Sequence, residues 1–171
     1  MVKKTVSDLL SKRKCKEWLE LKGFTNVKPA KNEKCDLKAE KENEIYFIEI
    51  KYSSREKGKD FFGTVMLTET HKAIENKSNY LFLICRGNDK IDNWFFKLFT
   101  VEDFLKYCTL TTPIFHYRIH QTESQELSVP NFGKKSTLAS EELINEMWQD
   151  FLKWKSEYKL VKKHENKIHY N

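Results

Sequence analysis

Nine residues from Ile45 to Ser53, I-Y-F-I-E-I-K-Y-S, limit the folds open to this chain more than any other stretch. Side chains alternate across a strand, so Tyr46, Ile48, Ile50 and Tyr52 share one face, and Ile45, Phe47, Glu49, Lys51 and Ser53 the other. Apolar residues on both faces predict a strand covered from two sides, the middle of a sheet rather than its edge. Its second face turns polar only toward the far end. Upstream, Glu33 to Glu40 alternates Cys35, Leu37 and Ala39 with Asp36, Lys38 and Glu40, and the polar run Lys41 to Glu44 reads as a tight turn. The two segments together predict a β-hairpin. Tyr80 to Arg86 is a short apolar run, expected as a buried strand beside that hairpin.

Helices flank these strands. Thr5 to Lys22 reads as a helix stopped by Gly23. At about 100° per residue, Val6, Leu9, Leu10 and Leu21 gather on one side with Trp18 at the edge, and Glu17 projects into that stripe roughly 20° from Val6. A carboxylate on a core-facing stripe is costly unless paired or ligated. Glu17 is therefore read either as the ion-pair partner of Arg13 or as a site residue. Phe24 to Lys28 reads as a short strand, Ser54 to Asp60 as a charged loop, and Thr68 to Lys77 as a helix with Thr68 as its N-cap. Trp94 to Phe99 and Ile114 to His120 read as further strands, Thr100 opens a short helix to Tyr107, and Thr122 to Lys135 is a loop. A helix from Leu138 to His164, capped by Ser140, carries Leu143, Met147, Phe151, Trp154 and Tyr158 as a core or interface stripe. The expected class is α/β (α+β), with a mixed central sheet flanked by helices, the order α-β-β-β-α-β, added strands and a long C-terminal helix. One domain is expected over residues 1–171, with a core at 5–86, added strands and loops at 87–136, the C-terminal helix at 137–164 and a tail at 165–171.

Composition narrows the function classes. The longest apolar stretch, Tyr80 to Cys85, is six residues, against roughly 20 for a membrane-spanning helix. No membrane partner is expected. Four cysteines stand 20, 50 and 23 residues apart without C-x-x-C spacing, which argues against a structural zinc site or a disulfide scaffold and for a reducing, cytoplasmic setting. The net charge of +6 is concentrated: residues 1–35 hold ten Lys/Arg against four Asp/Glu, whereas residues 36–171 hold 21 of each. A basic patch of this kind is the electrostatic footprint for a polyanion, and equally the composition of a solvated helix face.

The chemistry concentrates in C-D-L-K-A-E-K-E-N-E-I-Y-F-I-E-I-K. Asp36 and Glu49 lie on two strands joined by a tight turn, and Lys51 shares the face of Glu49. Two carboxylates converging at one end of a sheet suit a hard divalent cation such as Mg²⁺, with the Ile50 carbonyl as a further oxygen ligand. A lysine beside such a cation can orient a water and offset charge building on a phosphate. These are the needs of phosphodiester hydrolysis.

Asp36 followed by Glu49-Ile50-Lys51, after a helix ending W-L-E-L-K-G, resembles the PD-(D/E)XK nuclease superfamily, which includes restriction endonucleases, Holliday-junction resolvases and repair nucleases. The likeness extends over residues 5 to 86, with Cys35 where the family has proline. It implies a restriction-endonuclease-like core and a Mg²⁺-dependent endonuclease, with Mn²⁺ as a substitute, acting on double-stranded DNA rather than RNA in a restriction- or defence-like setting. It implies Asp36 and Glu49 as metal ligands, Lys51 as the residue assisting the attacking water, and Glu17, or alternatively Glu20, as the first-helix acid. Other readings are a resolvase or repair nuclease, and a non-catalytic nucleic-acid-binding module on the same fold.

Around this centre, Ser53, the loop cations Arg55, Lys57 and Lys59, and Arg13 and Lys14 of the first helix are candidate DNA contacts, as are Lys134 and Lys135. His116, Arg118 and His120 alternate on a predicted strand, where H-x-x-x-H spacing does not converge on a metal. No Gly-rich phosphate loop and no G-x-S-x-G motif occurs. Cutting both strands of a duplex favours a homodimer, expected through the 138–164 helix.

Overall fold

The computed structural model describes residues 6–31, 35–53, 61–88, 91–106, 108–111, 116–121, 127–128 and 137–169. Arg55, Lys57, Lys59, Lys134 and Lys135 lie outside them. The hairpin is formed by β2 (Leu37–Lys41) and β3 (Glu44–Ser53), in register from Lys41↔Glu44 to Leu37↔Ile48. Its turn residues Glu42 and Asn43 have φ of 51° and 64°. Two successive left-handed residues make the type I′ turn that matches the twist of paired strands. Adding β1 (Thr25–Pro29), β5 (Tyr80–Asn88) and β6 (Ile91–Thr100) completes a five-stranded sheet in the order β1-β2-β3-β5-β6. The sheet is mixed: β3 and β5 run parallel, and the other pairs are antiparallel. β3 is its middle strand, as the apolar residues on both its faces require.

Helices cover both faces. α1 (Val6–Leu21) packs over Leu37, Ala39, Ile48, Ile50, Leu83 and Cys85. On the other side, Phe47, Phe82, Ile84 and Phe99 pack with Leu67 and Ala73 of α2 (Leu67–Glu75) and with Val101 and Phe104 of α3 (Val101–Leu105). α1 closes in a Schellman arrangement: Gly23 N–H donates to the Glu20 carbonyl at 3.1 Å and Phe24 N–H to the Leu19 carbonyl at 3.0 Å, with Gly23 at φ 93°.

The face that α1 buries is not the expected one. Ser11, Cys15 and Leu19 are buried, whereas Leu9 is 56% and Leu21 85% exposed. Cys15 and Glu17 stand two residues apart, or roughly 160° around the helix by the shorter way. Glu17 therefore points to solvent, 3.9 Å from Arg13, and Glu20 pairs with Lys16 at 3.9 Å. Small residues win the buried face because the sheet beneath already presents Ile48, Ile50 and Leu83, and close packing leaves little depth.

A second, five-stranded sheet was largely illegible in the sequence. It runs β10 (Thr137–Leu138), β7 (Cys108–Thr111), β8 (His116–Gln121), β4 (Phe61–Met66), with β9 (Leu127–Ser128) also paired to β8. β4 leads directly into α2, whose N-cap is Met66 and not Thr68. The Glu69 carboxylate accepts from Met66 N–H at 3.4 Å, and Thr68 lies within the first turn. Thr100 does cap α3, accepting from Asp103 N–H at 3.2 Å. α4 (Glu141–His169) follows Ser140, whose hydroxyl accepts from Leu143 N–H at 3.2 Å. The α4 stripe divides. Ile144 is buried and Leu143, Met147, Trp148 and Phe151 pack on the core, with Trp148 stacked on His71 at 4.1 Å, whereas Trp154 is 52% exposed. No helix among the described residues is long and apolar enough to cross a membrane.

Candidate active site

The end of the β2–β3 hairpin opposite its turn brings the predicted residues together. Asp36 immediately precedes β2. Its backbone N–H still pairs with the Ile48 carbonyl at 3.1 Å, and its side chain then takes over the ladder: Oδ2 accepts from Ile50 N–H at 2.8 Å. This ties the carboxylate to the strand that carries Glu49 and Lys51. Oδ1 lies 3.2 Å from Lys12 Nζ on α1. Cys35 holds its own turn by donating Sγ–H to the Leu37 carbonyl at 3.6 Å.

On the α2 side of the sheet, Lys51 Nζ sits between two carboxylates, 3.5 Å from Glu49 and 2.6 Å from Glu69. The Lys51 side chain is only 12% exposed, so these contacts act with little solvent screening. Burial pushes the Glu49 carboxyl up to about 8; the Asp36 charge adds to this, Lys51 opposes it, and Glu69 raises it further. Tyr80, at the start of β5, is held well above the usual phenol range by burial and then by Glu49. The cluster thus sets three carboxylates against two ammonium groups. A proton retained on Glu49 brings its formal charge to zero.

Two participants were missed from sequence. Lys12 arrives because α1 is turned by half a revolution from the expected face. The signal was the small pair Ser11 and Cys15, one turn apart, which mark a close helix–sheet approach. Glu69 arrives because it is the third residue of α2, which β4 delivers to the sheet face that carries Glu49 and Lys51. Glu17 and Glu20, the expected first-helix acids, are on the solvent side of α1, away from this cluster. Arg13 and Lys14 are on α1, with Arg13 exposed and engaged with Glu17. Ser53 ends β3 at the register position beside Arg86. His116, Arg118 and His120 are on β8 as alternating strand residues.

The donor set is one of hard oxygens. Among the described residues no group of three or more His, Cys, Asp or Glu converges to hold a metal ion. Asp36 and Glu49 are linked through the Ile50 backbone, whose N–H donates to Asp36 Oδ2 at 2.8 Å. That composition fits Mg²⁺, which commonly takes one or two carboxylates and keeps several waters. No protein-family model matches this chain, and no curated protein matches its sequence.

Proposed function

We propose that this protein is a Mg²⁺-dependent nuclease of the PD-(D/E)XK kind, hydrolysing phosphodiester bonds of double-stranded DNA in a cytoplasmic, restriction- or defence-like role. The observation that carries the reading is the Asp36 Oδ2 bond to Ile50 N–H at 2.8 Å, which brings the first carboxylate to the Glu49-Ile50-Lys51 strand. Asp36, Glu49 and the Ile50 carbonyl would hold the cation. A divalent cation at this place supplies positive charge to the phosphate and lowers the pKa of its water. Lys51 orients the attacking water and faces the charge that builds on the phosphate, held in its rotamer by Glu69. The raised Glu49 carboxyl fits the same reading: burial and then the Asp36 charge favour a proton on it, against the opposing pull of Lys51, and a divalent cation would favour the ionised form instead. Four free thiols, three of them buried, accord with a reducing compartment.

One observation favours a second reading. Lys12 already neutralises Asp36 at 3.2 Å, so the fold can balance this carboxylate without a metal, as a catalytically silent DNA-binding module would. Incubation with supercoiled and linear duplex DNA separates the two. The nuclease reading expects nicking or cutting with Mg²⁺ or Mn²⁺, arrest by EDTA, and loss of at least a hundredfold in Glu49→Ala and Lys51→Ala. Undiminished cleavage in either variant refutes the mechanism. Salt-sensitive binding without cleavage establishes the silent module.

A further inference from the structure

Two residues beyond the strand position beside Lys51 stands a charge that nothing described so far uses. β3 and β5 are parallel neighbours with Lys51↔Ile84 and Ser53↔Arg86 in register. Register partners point to the same side of a sheet, and side chains two apart share a face. Arg86 therefore lies on the face of Glu49 and Lys51. Taking about 3.3 Å of rise per residue and 4.8 Å between strands, its Cα is roughly 8 Å from that of Lys51.

Arg86 is buried, with 3% of its surface exposed, yet its Nη1 has no hydrogen-bond partner among the described residues. Its guanidinium carbon stands 5.8 Å over the ring of Phe95, its register partner on β6. An aromatic face attracts the cation without using its N–H donors. Burial lowers the pKa of the guanidinium, the direction expected for a desolvated cation. Arginine does not escape that cost by giving up its proton. An unsatisfied buried donor is expensive, and a ligand oxygen that accepts from it would recover that cost. The position is covered but not deep, since β5 ends two residues later at Asn88.

We propose that Arg86 is a phosphate-binding residue of this same site, donating from Nη1 to a non-bridging oxygen of the phosphodiester next to the one that Lys51 faces. The proposal rests on the nuclease reading for the identity of its ligand. The planar guanidinium matches two phosphate oxygens, and the separation from Lys51 lets one strand of nucleic acid meet both cations in succession. Arg86 would position the substrate along the sheet, while Lys51 stays at the bond that breaks.

The test uses the full chain and inorganic phosphate, titrated against chloride at constant ionic strength in a zwitterionic buffer, with thermal unfolding as readout. Binding to the native state alone raises Tm with ligand concentration. Wild type is expected to gain several degrees, Arg86→Lys less, and Arg86→Gln and Arg86→Met nothing. Without phosphate, Arg86→Met is expected to melt no lower than wild type, because it removes an uncompensated buried charge. With DNA, Arg86→Gln is expected to raise KM at least tenfold and leave kcat within threefold. A phosphate response in Arg86→Gln equal to that of wild type overturns the proposal. So does a wild type that shows no response, or a large loss of stability in both Arg86→Met and Arg86→Lys, which marks the group as structural. Failure of the nuclease reading is seen separately: an Arg86-dependent phosphate response in a protein that cuts no DNA leaves the anion site standing and removes only the reaction.

Discussion

Replacing Glu49 by glutamine should make this protein more stable, and only at neutral to alkaline pH. The carboxyl is pushed from about 4.5 up to about 8, chiefly by burial and then by Asp36. Between those values the folded chain keeps a proton that the unfolded chain releases. Stability therefore falls as pH rises through this window, and levels off above about 8 as far as this group is concerned. At about 1.4 kcal/mol per pKa unit the ceiling is about 5 kcal/mol, of which local relaxation and water penetration leave on the order of 2–3 kcal/mol. Glutamine keeps the shape and carries no charge. Urea denaturation followed by tryptophan fluorescence should find Glu49→Gln within about 0.5 kcal/mol of wild type at pH 5, and more stable by about 2–3 kcal/mol at pH 9. Lys51 stays paired to Glu69 at 2.6 Å, so the substitution strands no buried ammonium. Parallel stability–pH curves for the two proteins, or a variant weaker than wild type at pH 9, would refute the reasoning. Mg²⁺ adds a second arm. It should restore stability to wild type at pH 9 and do much less for Glu49→Gln, which keeps Asp36 as its one carboxylate ligand.

Three further outcomes follow from the same geometry. Glu69→Gln breaks the 2.6 Å ion pair that orients Lys51 and should lower kcat for DNA cleavage about tenfold or more with KM within threefold; an unchanged kcat removes Glu69 from the site. Glu17→Ala loses only an exposed 3.9 Å contact with Arg13 and should stay within about 0.5 kcal/mol of wild type in denaturant, with cleavage unaltered; a hundredfold loss of cleavage would return Glu17 to the centre. Gly87→Ala places a methyl group against the indole of Trp94, which stacks on Tyr52 at 6.0 Å, and should cost about 1–3 kcal/mol with a shifted tryptophan emission; a neutral effect on both would mean that the indole moves aside freely.

What the sequence disclosed was what local periodicity controls. Alternation from Ile45 to Ser53 located the middle strand, the polar interval before it located the turn, and the apolar run from Tyr80 located the strand that became β5. The two-residue turn fixes how β2 pairs with β3, and the middle of β3 and most of β5 are buried. β4 leaves a weak signal because Gly63 interrupts a short run between a charged stretch of sequence and a helix, and β7, β9 and β10 are four residues or fewer. Such strands exist by pairing with partners distant in the chain, and pairing leaves no periodic trace of its own.

The site divides along the same line. Asp36, Glu49 and Lys51 were legible because the hairpin that joins them is local: a two-residue turn fixes the register, and the register fixes which side chains meet. The buried face of α1 does not follow its leucines, because the depth available beneath the helix also decides which face turns inward. Turning Val6, Leu9, Leu10 and Leu21 inward would set bulky side chains on the bulky row Ile48, Ile50 and Leu83 of the sheet. Turning Ser11, Cys15 and Leu19 inward lets the helix approach more closely. The half-turn that satisfies packing then decides the chemistry. It carries Glu17 out to solvent and brings Lys12 to 3.2 Å from Asp36, so an expected acid is exchanged for a base. A lysine on the first carboxylate has to be displaced, or shared with a phosphate, before a cation can use both Asp36 oxygens. On the nuclease reading, a phosphate for Lys12 and a cation for Asp36 would together open a site that these charges otherwise hold closed.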